Sequence, residues 1–330
     1  MQIHMPPFTI TNKMVASVSR ISGQLGQISN YHEFERKPHL RRNNRVRSIH
    51  SSLAIEANSL SLDAVRGVID GKTILGPQKD IQEVKNAFQA YEQIGRFDPY
   101  SLADLKRLHA IMTHLTLEES GTFRRGEEGV FQGDRCIFMA PPARLVPELM
   151  DNLFNWMQSV SKEIHPLILS SVFHYEFVFI HPFADGNGRM ARLWQTGLLS
   201  EWNAVFQYLP IESRIHAFQP DYYEAISKCH STGSSTIFIE FMLDKIDETL
   251  GLVMTQAQSE DASLSEYVRR LLNAMEQGVP YTARQMMTAL HLKSKETLRK
   301  NYINPALEKG LIFMGIPDKP TSRNQTYIKT

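Results

Sequence analysis

The stretch that decides the fold is His181-Pro182-Phe183-Ala184-Asp185-Gly186-Asn187-Gly188-Arg189-Met190-Ala191-Arg192. It gathers an imidazole that can carry a proton, a carboxylate that can hold a hard cation, two glycines around an asparagine, and two arginines. Before it, Pro166 opens a run to Ile180 whose apolar residues Leu167, Ile168, Val172, Phe173, Phe177 and Ile180 are spaced for a helix buried on a broad face. Pro182 stops that helix, because the residue before a proline avoids the right-handed helical region. Asp185 to Gly188 then reads as a loop, in which glycine permits close approaches and backbone angles that other residues resist. A second helical pattern begins near Arg189 and runs through Leu193, Trp194, Leu198 and Leu199. The spacing therefore predicts a helix–loop–helix junction with amides at a helix N-terminus, an anion site because those amides lack intrahelical partners. Arg189 and Arg192, at i and i+3, project from neighbouring positions of one face and offer planar donor forks to phosphate oxygens. Taken singly, a histidine after a helix is usually structural, Gly-Asn-Gly is a turn, and an arginine pair is a solvated face. In this order and setting they read as a phosphate-handling site.

The segment resembles the signature of Fic-domain enzymes, His-x-Phe-x-(Asp/Glu)-Gly-Asn-Gly-Arg-x-x-Arg, with every fixed position matched. The resemblance implies a mainly α fold: a Fic helical bundle with a β-hairpin flap, followed by a small C-terminal winged-helix domain. It implies a nucleotidyltransferase, a protein adenylyltransferase moving AMP from ATP to Tyr, Thr or Ser hydroxyls, with Mg²⁺. His181 would then be the catalytic base, and Phe183 a buried anchor for the loop. Asp185 would be the metal residue, positioning Mg²⁺ against the phosphates. Gly186, Asn187 and Gly188 would cradle phosphate oxygens, and Arg189 and Arg192 would hold the phosphates that leave as pyrophosphate. Met190 and Ala191 complete the nucleotide-binding run. The chemistry suits these parts, since phosphoryl-type transfer depends on positioning and on neutralising charge. A histidine titrating near ~6.5 is within reach of base duty at neutral pH.

Ile49 to Leu60 is the second informative stretch, placing Ser52 and Glu56 one turn apart on one side of a helix. It resembles the Fic inhibitory motif (Ser/Thr)-x-x-x-Glu-(Gly/Asn). That resemblance makes Ser52 and Glu56 inhibitory residues and pairs Glu56 with Arg192, so that the arginine cannot grip the terminal phosphate. Ala57 stands where Gly or Asn is expected, with Asn58 one place later. In some relatives the same glutamate aligns a water that removes AMP, which leaves de-AMPylation open.

The chain has 330 residues and a formal net charge of +1, so no bulk electrostatic pull toward nucleic acid or membrane follows. Two cysteines, Cys136 and Cys229, are too few for a disulfide framework or a zinc ribbon and fit a reducing compartment. No apolar run reaches transmembrane length and no basic-then-apolar leader is seen; the expectation is a cytoplasmic protein without membrane contact. The basic cluster Arg41 to Arg47 lacks the interleaved aromatics of a nucleic-acid patch and reads as a helix entry with solvated or ion-paired arginines.

Three regions are expected: an N-terminal helical region over 1–100 that carries the inhibitory helix, the catalytic core over 101–255, and the winged helix over 265–330. Helices are predicted from Met14 to Ile28, Leu62 to Ile69, Ile81 to Ile94 and Leu102 to Leu115. His109 and His114 on the last lack metal-ligand spacing and read as structural. Val130-Phe131 and Cys136 to Met139 form strands around a turn at Gln132 to Arg135. The resemblance makes this hairpin the flap that docks the target segment by strand pairing, with Phe138 and Met139 as contacts. Leu145 to Val160 returns to helix. Tyr222 and Tyr223, on a helix ending near Gly233, could line an adenine pocket, though packing explains at least one of them as well. His230 beside Cys229 is too isolated for a metal site. Ile237 to Leu252 is another apolar helix.

Gln256 to Ser265 is polar and reads as a linker. Three helices and two strands follow, resembling the winged helix attached to many Fic enzymes, notably at Pro305 to Gly310 and Pro317 to Pro320. From Glu266 onward 11 basic side chains face 5 acidic ones, which permits DNA contact through the second and third helices; protein binding is slightly favoured. The implied partners are a protein with an exposed Tyr, Thr or Ser, the enzyme itself by self-modification, and a second copy of the chain in a homo-oligomer. Two alternatives stay open: a Fic enzyme moving another nucleotide or a phosphate group, and a winged-helix DNA-binding regulator whose core senses nucleotide. A pure sensor has no need of His181.

Overall fold

The computed structural model of the chain describes residues 5–30, 38–132, 135–317, 319–320 and 322–329. Helices α1 (Asn12–Asn30), α2 (Pro38–Ile55), α3 (Leu62–Ile69), α4 (Gln78–Tyr91) and α5 (Leu102–Met112) lead to a hairpin of β1 (Gly129–Gln132) and β2 (Arg135–Met139). Then come α6 (Val146–Val160), α7 (Pro166–Ile180), α8 (Asn187–Trp202), α9 (Ile211–Ala217), α10 (Gln219–Thr232) and α11 (Thr236–Ser263). The C-terminal part holds α12 (Glu266–Asn273), β3 (Pro280–Thr282), α13 (Ala283–Ala289), α14 (Lys295–Thr297), a π-helical turn (Leu298–Ile303), α15 (Asn304–Glu308), β4 (Ile312–Met314) and β5 (Thr326–Lys329). Two compact units result: Met1–Gly23 with Asn44–Leu250, and Gln24–Asn43 with Gly251–Thr330. The fold is mainly helical, with few strands. No described helix is long and apolar enough to cross a membrane.

In the first unit α7 is the central element. Residues from Leu167 to Tyr175 are buried on every side of it, as expected of a helix apolar all round. α8 packs along it and is buried nearly throughout. Trp194 on α8 stacks on Phe97 at 4.7 Å, meets Phe154 edge-on at 6.1 Å, and donates its indole N–H to Pro99 O at 3.0 Å. Several buried polar groups pair across elements. Glu212 on α9 accepts from Ser48 Oγ (2.8 Å) and Tyr91 Oη (2.9 Å), tying together α2, α4 and α9. His174 on α7 donates Nδ1–H to Gln195 Oε1 (2.5 Å) and accepts from the Tyr222 hydroxyl at Nε2 (2.9 Å). Burial pushes His174 down to about 3, so it stays neutral. A satisfied network of this kind specifies one packing of the core.

The hairpin pairs antiparallel, Gly129 opposite Met139 and Val130 opposite Phe138, with an irregularity after Val130. Its expected turn residues Gly133 and Asp134 lie outside the described residues, as do the side chains of Val130 to Ile137 and, further on, Asp318 of the wing.

Two expectations need correcting. The polar segment after Gln256 is not a linker: α11 continues to Ser263. The segment includes no Gly or Pro, so its polarity does not break the helix. The second unit also carries a third strand. β3, β5 and β4 form an antiparallel sheet in that order, with Tyr281 opposite Tyr327 and Phe313 opposite Ile328. β3 was hidden because it starts on a proline and runs at once into a capping box, Thr282 with Gln285. Val268, Leu271, Met286, Leu298, Tyr302, Ile303 and Ile312 form the core of this C-terminal part.

Candidate active site

α7 ends at His181, whose backbone is left-handed (φ 51°, ψ 60°). Pro182 forbids the right-handed alternative, and the chain turns into a loop closed by one side chain. Asn187 Oδ1 accepts from Phe183 N–H at 3.0 Å while its Nδ2 donates to Phe183 O at 2.7 Å. Phe183 is fully buried beneath this clamp. Gly186 precedes α8 at φ 84°, and a Cβ there would press on Thr113 Cγ2 at 3.1 Å, so glycine is required twice over. No side chain caps α8, which leaves its first amides facing the loop.

Two residues outside the signature hold this loop: Arg124, not singled out from the sequence, and His109, expected to be structural. His109, on α5, stacks face to face on Phe183 (3.6 Å between centroids, 6° between planes). Its Nδ1 accepts from Gly121 N–H at 2.9 Å, so the proton sits on Nε2 and is donated to Asp185 O at 2.9 Å. Burial lowers His109 to about 4, which keeps that tautomer neutral. Arg124 is buried and donates Nε–H to His181 O (2.7 Å), Nη1–H to Gly126 O (2.8 Å) and Nη2–H to Pro141 O (2.5 Å) and Ile180 O (3.4 Å). Neither carries a local sequence signal, because their partners are backbone groups distant in the chain.

The two arginines of α8 are both buried. Arg192 donates Nε–H to Ser52 Oγ (3.0 Å) and Nη2–H to Ser52 O and Glu56 Oε1, both at 2.8 Å. Burial opposes its charge, but Glu56 together with Tyr222 and Tyr91 outweighs that and raises its pKa. Arg189 lies between Glu83 Oε1 (3.3 Å) and Asp185 Oδ1 (3.0 Å). Arg189 Nε and Arg192 Nη1 are buried without a hydrogen-bond partner among the described residues. Each unpartnered buried donor is costly, and an anion at this face would satisfy it.

Glu56 lies just past the end of α2. Ala57 N–H bonds Ala54 O (3.0 Å) and Asn58 N–H bonds Leu53 O (3.1 Å), the double closure of a helix end whose next residue is left-handed. That residue is Ala57, at φ 64°. Gly or Asn suits this position because either tolerates the left-handed region; Ala57 does not do so freely. Asn58 Nδ2 bonds Glu83 Oε2 at 2.9 Å, fastening the segment to α4. The Glu56 carboxylate overlies the start of α8, where a Cβ added to Gly188 would collide with Oε1.

Among the remaining candidates, Asp185 is 44% exposed, with Oδ1 taken by Gly186 N–H (2.6 Å) and Arg189. Burial would raise its pKa, but Arg189 and the Gly186 amide hold it below the usual carboxylate range. His181 is lowered by burial, against a hydrogen bond to the Val178 backbone and the charges of Glu128 and Glu56; Arg124 adds to the lowering. Tyr222 is 2% exposed, its hydroxyl on His174 and near enough to Arg192 and Glu56 for both to act on it, so it backs the arginine end of the site from within the core. Tyr223 is 47% exposed, and Gln219 beside it bonds Ile55 O at the end of α2 (3.1 Å). Phe138 stacks on His230 (3.9 Å, 21°) and meets Phe179 at 5.5 Å, whereas its strand neighbour Met139 is 57% exposed. The structure thus brings His181, Asp185 to Arg192, Ser52 and Glu56 together.

Residues 99–199 match the Fic/DOC family, and residues 266–330 match the C-terminal domain of the Fic-like "filamentation induced by cAMP" proteins. A protein adenylyltransferase Fic of Nematostella vectensis is 31% identical over 215 residues, covering 61% of this chain and 47% of its own. Another from Drosophila willistoni is 27% identical over 252 residues, with 72% and 47% covered. The chain therefore spans about half the length of the curated relatives it matches. Fic-1 of C. elegans shares the fold (TM-score 0.60, 20% identity, 74% of each chain). A Fic family protein from Desulfovibrio desulfuricans G20 superposes with a TM-score of 0.74 at 42% identity, covering 99% of this chain and 98% of that one. On that correspondence, and on a signature loop folded as its spacing predicts, the chain belongs to the Fic family.

Proposed function

We propose that the protein is an adenylyltransferase that moves AMP from ATP to a Tyr, Thr or Ser hydroxyl of a protein, and that Glu56 restrains it. One observation carries this reading: Glu56 Oε1 sits on Arg192 Nη2 at 2.8 Å and over Gly188, the place a nucleotide phosphate would take, while Arg192 Nη1 has no partner among the described residues. With Glu56 withdrawn, Arg189, Arg192 and the first amides of α8 bind the β- and γ-phosphates. His181 takes the acceptor's hydroxyl proton on the ring nitrogen not bonded to Val178. The freed oxygen forms a bond to the α-phosphorus, the bond from that phosphorus to the bridging β-oxygen breaks, and pyrophosphate leaves with the electron pair. Asp185 fits a hard cation: its Oδ2 has no hydrogen bond among the described residues, and Mg²⁺ is commonly held by one carboxylate with substrate phosphates. When bound, Mg²⁺ would neutralise phosphate charge. Tyr223, the exposed one beside Glu56, is the better adenine-side residue of the pair; Tyr222, buried between His174 and Arg192, backs the site. The hairpin, with Met139 outward, serves as the acceptor's docking edge.

The test is incubation with labelled ATP and cell extract, followed by mass spectrometry of labelled proteins. An AMP adduct made by Glu56→Gly and absent with His181→Ala is expected; a UMP or phosphate adduct would favour the alternative donor chemistries. Faster loss of AMP from a pre-labelled acceptor with wild type than with Glu56→Gly would add removal to the repertoire.

For the second unit, DNA contact is supported by the exposed side chains of Lys293, Lys295, Arg299 and Lys300 on and just before its third helix, beside a three-stranded wing. This reverses the slight preference for protein. Four phosphate contacts would weaken duplex binding about 100-fold between 50 and 200 mM salt; no duplex binding at low salt would restore protein as the partner.

A further inference from the structure

We infer that Arg124 is a positioning residue that joins the docking hairpin to the catalytic base, so that acceptor placement and His181 placement are set by one guanidinium. The inference rests on the adenylyltransferase reading above. Arg124 Nε and Nη2 grip His181 O and Ile180 O, the last carbonyls of α7, which have lost their helical donors. From the same plane Nη1 and Nη2 grip Gly126 O and Pro141 O, on the two stems that enter and leave the β1–β2 hairpin. The Arg124 amide adds a bond to Pro182 O at 2.9 Å, and Ala140 N–H closes the stems on Glu128 O at 3.0 Å. Arginine suits the task because its donors lie in one rigid fork, whereas an ammonium is a point charge on a flexible stem.

His181 makes the need for such a clamp plain. It holds a left-handed backbone (φ 51°) that a residue with a Cβ keeps only where its surroundings enforce it. Arg124 enforces it from the carbonyl side, and His109 and Phe183 from the loop side. The hairpin that would present an acceptor hydroxyl is anchored by the same side chain. A shift of its stems therefore moves the base, and a displacement of about 1 Å is enough to cost about 100-fold in rate.

The experiment compares Arg124→Lys and Arg124→Met in the Glu56→Gly background, reading self-modification rates and ATP dissociation constants across pH. Both variants are expected to lose about 100-fold in kcat while binding ATP within about twofold of the parent, since the phosphate grip lies on α8. Hydrogen exchange should rise at the amides of residues 126–128 and 140 in both. The charges facing His181 are Arg124, Glu128 and Glu56. With Glu56 already removed in the parent, loss of the Arg124 cation raises the His181 pKa. Arg124→Met should therefore shift the acidic limb of the pH–rate profile upward, and Arg124→Lys, which keeps the charge, should not. Parental kcat in Arg124→Lys, or a fall in ATP binding matching the fall in kcat, overturns the inference. If the Glu56→Gly parent itself transfers no nucleotide, it is the functional reading that fails.

Discussion

Ala57 occupies a left-handed position (φ 64°) that costs an L-residue about 1–2 kcal/mol, directly beside the glutamate that holds Arg192. Ala57→Gly removes that strain and loses part of the gain to chain entropy. The variant should be more stable by about 0.5–1 kcal/mol in denaturant unfolding, and its transfer rate should fall as Glu56 is held more firmly. An unchanged or lower stability would contradict the backbone assignment. His181 tests the other half of the chemistry. His181→Ala should cut transfer by about 10²–10⁴-fold, while ATP binding, read by calorimetry, stays near that of the parent because Arg189, Arg192 and the α8 amides are untouched. A matching loss of ATP affinity would mean that the imidazole serves binding rather than proton removal.

At the level of elements, the hairpin is pinned by the Phe138 ring on His230, with Phe179 behind it. His230 is lowered to about 4 by burial, so the stack is between two neutral rings. His230→Ala should loosen the hairpin by about 1 kcal/mol, seen as faster hydrogen exchange across β1 and β2 with α7 and α8 unaffected; equal exchange would show that the stack is incidental. These contacts also mark where reading a sequence stops. The loop from His181 to Arg192 was legible because its parts are neighbours in the chain, and a proline, two glycines and helical periodicity fix their order in space. Ser52 and Glu56 were legible as a turn-spaced pair, and the left-handed turn at Ala57 shows why Gly or Asn is the expected residue at the one mismatched position. Arg124, Glu83 and the part His109 plays at the loop were not, since each meets the site only through tertiary packing, and most of their partners are backbone carbonyls, an aromatic face or a guanidinium remote in sequence. The tail of α11 and strand β3 failed for local reasons: a polar helix looks like a linker, and a three-residue strand starting on a proline looks like a turn.

At the scale of the molecule, neutral histidines are built into the first unit. His109 (about 4) and His174 (about 3) lie well below the ordinary ~6.5 of an unfolded chain. A depressed histidine pKa means that the unfolded state binds more protons between the two values. The stability these residues contribute is present above about pH 6.5 and drains away as pH falls toward their folded pKa values, by at most about 1.4 kcal/mol per pH unit for each group. Melting temperature should decline steadily from pH 6.5 to 5, and His174→Gln should flatten the decline even if it lowers the starting value; a profile flat over that range would contradict the buried neutral assignment. The account as a whole depends on one contact, the Glu56 carboxylate standing in for a phosphate on Arg192. The most direct measurement is the initial rate of nucleotide transfer from labelled ATP by wild type, Glu56→Gly, and Glu56→Gly combined with Arg192→Ala. The account predicts a rise of about tenfold or more in Glu56→Gly, the factor that about 1.4 kcal/mol of lost restraint corresponds to, and a return to or below the wild-type rate when Arg192 is also removed. Equal rates for wild type and Glu56→Gly would contradict it.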